Sequence, residues 1–463
     1  MITMLAALLS AAMFYLWQRL GGRKVRNRLG KVCLHAPLDL MIGLMIGLSF
    51  GADAIARELK AQPAPGELAI VGARIYPAPD AAPIDDGVVI VRGGQIVSVG
   101  SRSETAVPRA ARLIDARGSV LTAGFWNSHI HLITPALLNA ATDKAETVQT
   151  GLETMLTRWG FTTVFDLASS TDNALALRRR VNSGEIAGPM ILSVGDPFFP
   201  KDGTPIYVRD FFEAHHWPNE EVSTPEVAAA RAARQLDRGM DGVKIFAGAI
   251  VGGKIGILPM RIDIAKAVVE EAHRRGKPAF AHPSNLAGLN VAIESGVDIL
   301  AHTTEREGGG ALEGWPAELI ARMRKHNMAL IPTLTLFEVE GKKAGESSDD
   351  LAKDIKTITA EVRDYAAAGG QILFGTDVGF TDAFDTTEEY RLMSAELDWR
   401  QILASLTTAP ATRFGFAARK GRVATGMEAD LVLLNADPAR DPTAFARVRD
   451  TIRAGRVIWG ADR

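Results

Sequence analysis

The chain has 463 residues, of which 47% are hydrophobic, and a formal net charge of −2. Such a balance supplies no global basic field, so nucleic acid is not an expected partner. The single cysteine, Cys33, excludes an intramolecular disulfide and a multi-cysteine metal site, so a metal would need His, Asp, Glu and Lys.

Residues 1–56 stand apart. An apolar run (4–17) precedes six basic residues, Arg19, Arg23, Lys24, Arg26, Arg28 and Lys31, with no acid among them. A second apolar run (38–56) ends in Ala54-Ile55-Ala56. A basic region, an apolar region and small residues are the parts of a secretory signal peptide. The expectation is therefore export, with cleavage near Ala56, to a periplasmic or extracellular location. The alternative is an uncleaved anchor facing outward, its basic loop held inside by the positive-inside rule. A membrane is expected as a partner only through that uncleaved segment.

Residues 57–66 read as a linker. Short alternating segments follow at 68–77, 87–100 and 112–124, and Gly93-Gly94 marks a hairpin turn. The pattern then changes to apolar strands alternating with helices, which argues for a parallel α/β arrangement. Eight strands are predicted, at 124–131, 161–167, 190–195, 241–246, 278–282, 297–302, 329–333 and 372–377. The helix predicted over 262–276 has Ile264, Val268 and Ala272 four apart, then Gly276 and Pro278 as stop signals. Eight such units fit a (β/α)8 TIM barrel over 122–411. Strand and hairpin material returns at 421–435 and 449–460. The expected fold is thus α/β, a TIM barrel with a small flanking β-sandwich built from both chain ends (67–121 and 412–463).

In a barrel of this kind the active site lies at the C-terminal ends of the strands. The first strand ends in "GFWNSHIH", with His129 and His131 on one face. The fourth carries Lys244, the fifth ends in His282, the sixth in His302 and the eighth in Asp377. The other five of the nine histidines lie away from predicted strand ends. That partition points to a metal site. Singly, each has an ordinary reading: a strand histidine, or a lysine paired to a carboxylate.

These segments together resemble the amidohydrolase superfamily. "GFWNSHIH" is similar to its His-x-His motif, "GVKIF" to its strand-four lysine segment, "FAHPSN" and "LAHTTE" to its next two histidines, and "LFGTD" to its aspartate. Residues 406–434 resemble its return to the β-module. The resemblance covers roughly 67–463, in the branch of imidazolonepropionase-like and prolidase-like (Xaa-Pro dipeptidase) enzymes. It implies that His129, His131 and Asp377 hold one divalent metal and that His282 and His302 hold a second. Lys244, carbamylated to a carboxylysine, would bridge them. Neutral imidazoles with a carboxylate suit Zn2+. Asp377 and His302 are the expected catalytic residues, with a hydroxide shared by the metals as nucleophile. Asn127 departs from the Asp common before His-x-His in the wider superfamily, and no ligand is lost by it.

A long insertion, roughly 196–224, is expected to shape the pocket, with Tyr207, His215 and His216 as candidate substrate contacts and a self-packed loop as the plain alternative. Glu305 and Thr333 are further candidates. The Gly-rich stretch 247–256 reads as a mobile rim, since its spacing fits no P-loop. The expected activity is metal-dependent hydrolysis of an amide or cyclic amide C–N bond in a small molecule: a dipeptide, an N-acyl amino acid or a lactam. The alternatives are a lyase or decarboxylase, and a lactone or ester hydrolase, on the same barrel. A homo-oligomer is left open.

Overall fold

The computed structural model describes residues 66–218, 220–304 and 314–460. The expected export or anchor segment, 1–56, and Glu305 lie outside the described residues. Among the described residues no helix is long and apolar enough to cross a membrane.

Both chain ends build one eight-stranded sheet. The N-terminal part supplies Leu68–Ile75, Ile84–Arg92, Gln95–Ser101, Arg112–Asp115 and Val120–Ala123, and the C-terminal part supplies Leu431–Leu434, Val448–Arg453 and Arg456–Gly460. Gly93 (φ 58°) and Gly94 (φ 81°) turn the hairpin between Arg92 and Gln95, which are paired. Both turn residues need positive φ, which glycine adopts without a Cβ clash. Side chains alternate between two apolar clusters. Leu68 and Ile70 pack in one, with Leu121 and Leu431, while Ala69 and Val71 pack in the other, with Val88 and Ile90. The period-2 pattern is what a strand buried on both faces demands.

The returning strand Leu431–Leu434 lies antiparallel to Val120–Ala123. One residue later the chain enters the α/β part. Gly124 donates its N–H to the Asp430 carbonyl at 2.7 Å. A Cβ there would stand 2.2 Å from the Thr162 hydroxyl oxygen, so only glycine fits this junction.

All eight predicted strands have counterparts. Phe125–Ile130, Phe161–Asp166 and Met190–Ser193 pair in parallel, in chain order. Val243–Phe246, Ala279–His282, Ile299–Ala301, Ala329–Ile331 and Gln371–Ile372 form a second parallel run, also in chain order. Single-pair parallel bridges tie the runs at Phe198 with Ile245 and at Ile130 with Val378. The helix Ile262–Arg274 buries Ile264, Val268 and Ala272, as its spacing predicted.

Three regions differ from expectation. The eighth strand shrinks to Gln371–Ile372, because from Phe374 onward the backbone bonds elsewhere: Phe374 to Ser405, Ser128 to Phe374 and Asp377 to His129. The insertion after the third strand contains a helix, Ile206–Ala214, framed by the short parallel pair Phe199–Pro200 and Glu221–Val222. The Gly-rich stretch is an antiparallel hairpin, Gly248–Gly252 with Gly256–Pro259, whose turn glycines have positive φ.

Candidate metal centre

Four of the predicted ligands meet closely. His129, on the strand Phe125–Ile130, is fully buried, and His131 follows just past the strand end. Their Nε2 atoms lie 3.2 Å apart. Asp377 Oδ1 lies 3.1 Å from His129 Nε2 and 2.8 Å from His131 Nε2. His129, His302 and Asp377 each place a ligand atom within 4.8 Å of the others. His302 follows the strand Ile299–Ala301, and its ring centroid is 4.6 Å from those of both His129 and His282. His282 ends the strand Ala279–His282, stacked on the Phe246 ring at 4.8 Å. Lys244 is buried on the strand Val243–Phe246.

The electrostatics suit a cation. Burial drives the imidazoles of His129 (to about 3), His282 and His302 well below the ordinary histidine value. They are therefore neutral, with a lone pair to offer. Burial alone would raise the Asp377 carboxyl, but the adjoining His129 and His131 outweigh it and hold Asp377 well below the carboxylate range. Burial lowers the Lys244 amine to about 7, against the opposing pull of Asp377. Among the described residues, the buried atoms Asp377 Oδ1 and His282 Nε2 find no hydrogen-bond partner of acceptable geometry. Buried polar atoms are rarely left so, and an ion is one of the standard explanations. The residues present thus fit a divalent metal.

Around these side chains lies a set that fixes their orientation. His131 Nδ1 is 3.1 Å from the Ala168 carbonyl, which assigns the proton to Nδ1 and leaves Nε2 free to ligate. His302 Nδ1 is 2.6 Å from the Thr333 hydroxyl, which itself donates to the Pro332 carbonyl at 2.7 Å. The backbone at Thr333 (φ 50°), His302 (φ 78°) and Asp377 (φ 61°) is left-handed, a strain that non-glycine residues accept only where the surroundings impose it. Glu389 imposes part of it: its carboxylate accepts the N–H groups of Leu334 and Thr335 at 2.8 and 2.7 Å, just past Thr333. Asn127 donates to the Thr376 hydroxyl at 2.7 Å and accepts from the His129 N–H at 3.2 Å, locking the first strand to the Asp377 turn. Behind His131, the buried Asp166 accepts from Ser169 and from Ser193.

The ligand set forms the floor of a cavity of about 1230 Å3. Tyr207 and His215, predicted as substrate contacts, both line it. The Tyr207 ring meets Phe380 edge-on at 5.3 Å, and the His215 ring stacks on Phe211 at 4.3 Å. Thr333 does not line it; its hydroxyl is taken up by His302 and Pro332. His216 also stands outside the lining. Sequence reasoning missed Glu389 and Asp166, which carry no motif; Asn127 was noticed only as a departure.

The fold and this site define a class. The Amidohydrolase family matches residues 120–458, and the chain belongs to that family. It is an enzyme, a hydrolase acting on carbon–nitrogen bonds. Several of its relatives span most of its length. It is 27% identical over 457 residues to a dihydroorotase of Anaeromyxobacter sp. (strain K), covering 85% of this chain and 94% of that one. It is 21% identical over 429 residues to the ochratoxinase of Aspergillus niger, covering 83% and 86% of the two chains. The crystal structure of that ochratoxinase superposes with a TM-score of 0.69 over 85% of this chain and 96% of its own, at 19% identity. A Xaa-Pro dipeptidase structure superposes with a TM-score of 0.72 at 20% identity, over 86% of this chain and all of the other. The structural neighbours are prolidase-like amidohydrolases, the branch the sequence motifs resemble.

Proposed function

We propose that this protein is a two-metal hydrolase of an amide or cyclic amide bond, in which Asp377 moves the proton. The observation that carries the reading is that Asp377 meets His129 and His131 on one side and His129 and His302 in one close group, with Asp377 Oδ1 buried and unsatisfied there among the described residues. His129, His131 and Asp377 would hold one ion, and His282 and His302 the second. Divalent metals at such a cluster supply Lewis acidity to the scissile carbonyl and acidify water. Asp377, kept ionised by its imidazole neighbours, accepts the proton of the attacking water and delivers it to the departing amine. His302, aimed by Thr333, is the second residue assigned to the chemistry, as a ligand that would hold an ion beside the scissile bond. Lys244, once carbamylated, would be an anionic ligand for the two ions. A buried amine lowered to about 7 has a large neutral fraction, the form that adds to CO2, and an anionic carbamate offsets the cationic charge of the site. Zn2+ is the metal that neutral imidazoles and one carboxylate favour.

The names of the relatives point to dihydroorotate, an Xaa-Pro dipeptide and ochratoxin, and dipeptides, N-acyl amino acids and lactams are the classes the reading admits. The two parallel runs form a closed barrel, with the eight-stranded sheet folded beside it as a sandwich. Residues 1–56 export the chain or anchor it facing outward. A single-metal site is the second reading, favoured by the tight grouping of His129, His302 and Asp377, from which His282 is left out.

The test is the appearance of a free amino group from a panel of dipeptides, N-acyl amines and lactams treated with the full-length chain prepared with Zn2+ and bicarbonate. Release that a chelator abolishes and Zn2+ restores is the expected result. Release indifferent to chelation would overturn the metal-dependent mechanism.

A further inference from the structure

The insertion after the third parallel strand forms a cap over the ligand set. Phe199, Tyr207, Phe211, Phe212 and Trp217 all reach the cavity from it. Its helix, Ile206–Ala214, has no fully buried residue. A segment with so little core of its own depends for its position on how its two ends are fastened.

One side chain fastens both ends. Arg231 lies on the helix Pro225–Asp237, behind the cap and outside the cavity lining. Its Nη2 donates to the Pro197 carbonyl at 2.6 Å, where the chain enters the cap. Its Nη1 donates to the Glu220 carbonyl at 2.7 Å, where the chain leaves it. The Glu220 carboxylate pairs with the same guanidinium, and both side chains are largely buried. The guanidinium carbon also stands 4.2 Å from the centroid of the Phe198 ring. Phe198 is in turn bonded to the strand that carries Lys244. Its N–H donates to the Lys244 carbonyl at 2.9 Å, and its carbonyl accepts the Phe246 N–H at 2.9 Å. Gln235, one turn along the same helix, donates to the Asp196 carbonyl at 2.8 Å and so grips the entry side. A guanidinium suits this junction. Its donors lie in one plane, which forks between two carbonyls while its face rests on a ring, and an ammonium offers neither property.

We infer that Arg231 is a positioning residue for substrate binding: it ties the entry and exit of the cap to each other and, through Phe198, to the cavity floor. The cap then meets the substrate in one fixed place. The inference rests on the hydrolase reading above for what the cavity binds, while the fastening itself is testable without turnover.

The test compares the full-length, Zn2+-loaded chain with Glu220→Gln and with the double variant Arg231→Met, Glu220→Gln. The double variant removes both charges, so no lone charge is left buried. Trypsin cutting after Arg209, an exposed residue of the cap, reads how often the cap opens. Glu220→Gln keeps the fork on both carbonyls and should be cut within about twofold of the wild-type rate. The double variant should be cut about tenfold faster or more, the scale on which hydrogen bonds from a charged donor count, with a melting temperature within a few degrees of wild type. With a substrate from the panel above, its KM should rise by about tenfold while kcat stays within about threefold and the metal content is kept. Should the double variant not fold, Arg231→Lys, which keeps the charge but lacks the planar fork, takes its place with the same expectations. Cutting after Arg209 no faster than in wild type, faster cutting along the whole chain with a lowered melting temperature, or a fall in kcat at unchanged KM overturns the inference. A wild-type chain that turns over none of the panel sinks the hydrolase reading instead, and the cutting rate alone then decides whether Arg231 fastens the cap.

Discussion

His302 owes its orientation to one hydroxyl. Thr333 accepts the Nδ1 proton at 2.6 Å, so the Nε2 lone pair is turned toward the ligand cluster. Groups that orient a metal-bound histidine this way are worth 10–100-fold in metal affinity. Thr333→Val keeps the shape and removes the acceptor, so it should weaken Zn2+ binding by about 10–100-fold in a chelator competition. Thr333→Ser should hold it within a few fold. Equal affinity in Thr333→Val would show that the contact does not position His302. Asp377→Asn keeps the side chain's size but removes the proton acceptor. It should lower kcat by about 10²–10⁴-fold while the melting temperature and most of the metal remain. Unchanged turnover would remove Asp377 from proton transfer. The ligands themselves were legible from sequence because a strand end is a local signal: His129, His131, His282 and His302 lie at or next to strand ends, as their apolar runs predicted. Thr333 was noticed, but as a substrate contact, since nothing local says that its hydroxyl turns toward a histidine 31 residues away. Glu389, bonded to residues 54 and 55 positions distant, left no trace at all.

At the scale of elements, the helix Ser348–Ala367 braces the segment after His302 through one buried acid. Glu361 accepts the Thr304 N–H at 3.1 Å and the Thr304 hydroxyl at 2.8 Å, and that hydroxyl in turn accepts from the Trp315 indole at 2.9 Å. Burial raises the Glu361 carboxyl from 4.5 to about 8, against the lowering by its Thr304 hydrogen bonds. The folded chain therefore holds this proton over a range where the unfolded chain has released it. Its stabilising effect is complete below about 4.5 and is lost as the pH rises through about 8. Relative to Glu361→Gln, which has no proton to lose, the wild-type melting temperature should fall between pH 5 and 8. Each tenfold difference in proton affinity is worth about 1.4 kcal/mol, so the relative loss is on the order of a few kcal/mol. Parallel melting curves across that range would show Glu361 to be inert. The helix Ile206–Ala214 was not legible in the sequence, because none of its residues is fully buried and Pro205 and Pro218 bracket a stretch that reads as loop. The hairpin Gly248–Gly252 and Gly256–Pro259 was hidden by its glycines, which serve turns as readily as mobile rims.

Over the whole molecule, the segment that returns to the shared sheet is shaped by an ion cluster of its own. Lys420 pairs with Asp430 and lies 2.6 Å from Glu428, and the Asp430 backbone carbonyl accepts the Gly124 N–H where the His129 strand begins. Removing one partner from a buried pair leaves an uncompensated charge, which costs about 3–5 kcal/mol. Lys420→Met should destabilise the chain by about that amount in urea unfolding, and a midpoint within error of wild type would reduce the cluster to a passive contact. The chain ends were expected to meet because strand patterning returned after residue 420, although the order in which Leu431–Leu434 inserts between Val120–Ala123 and Val448–Arg453 is a tertiary choice that no local pattern encodes. The central claim is that one floor of this cavity holds two ions, with Lys244 between them. Elemental analysis of the full-length chain, prepared with bicarbonate and divalent metals, reads it most directly. The account predicts close to two ions per chain and a loss of about one or more in Lys244→Ala. A wild-type chain that binds one ion or none, or a Lys244→Ala chain that keeps both, would contradict it.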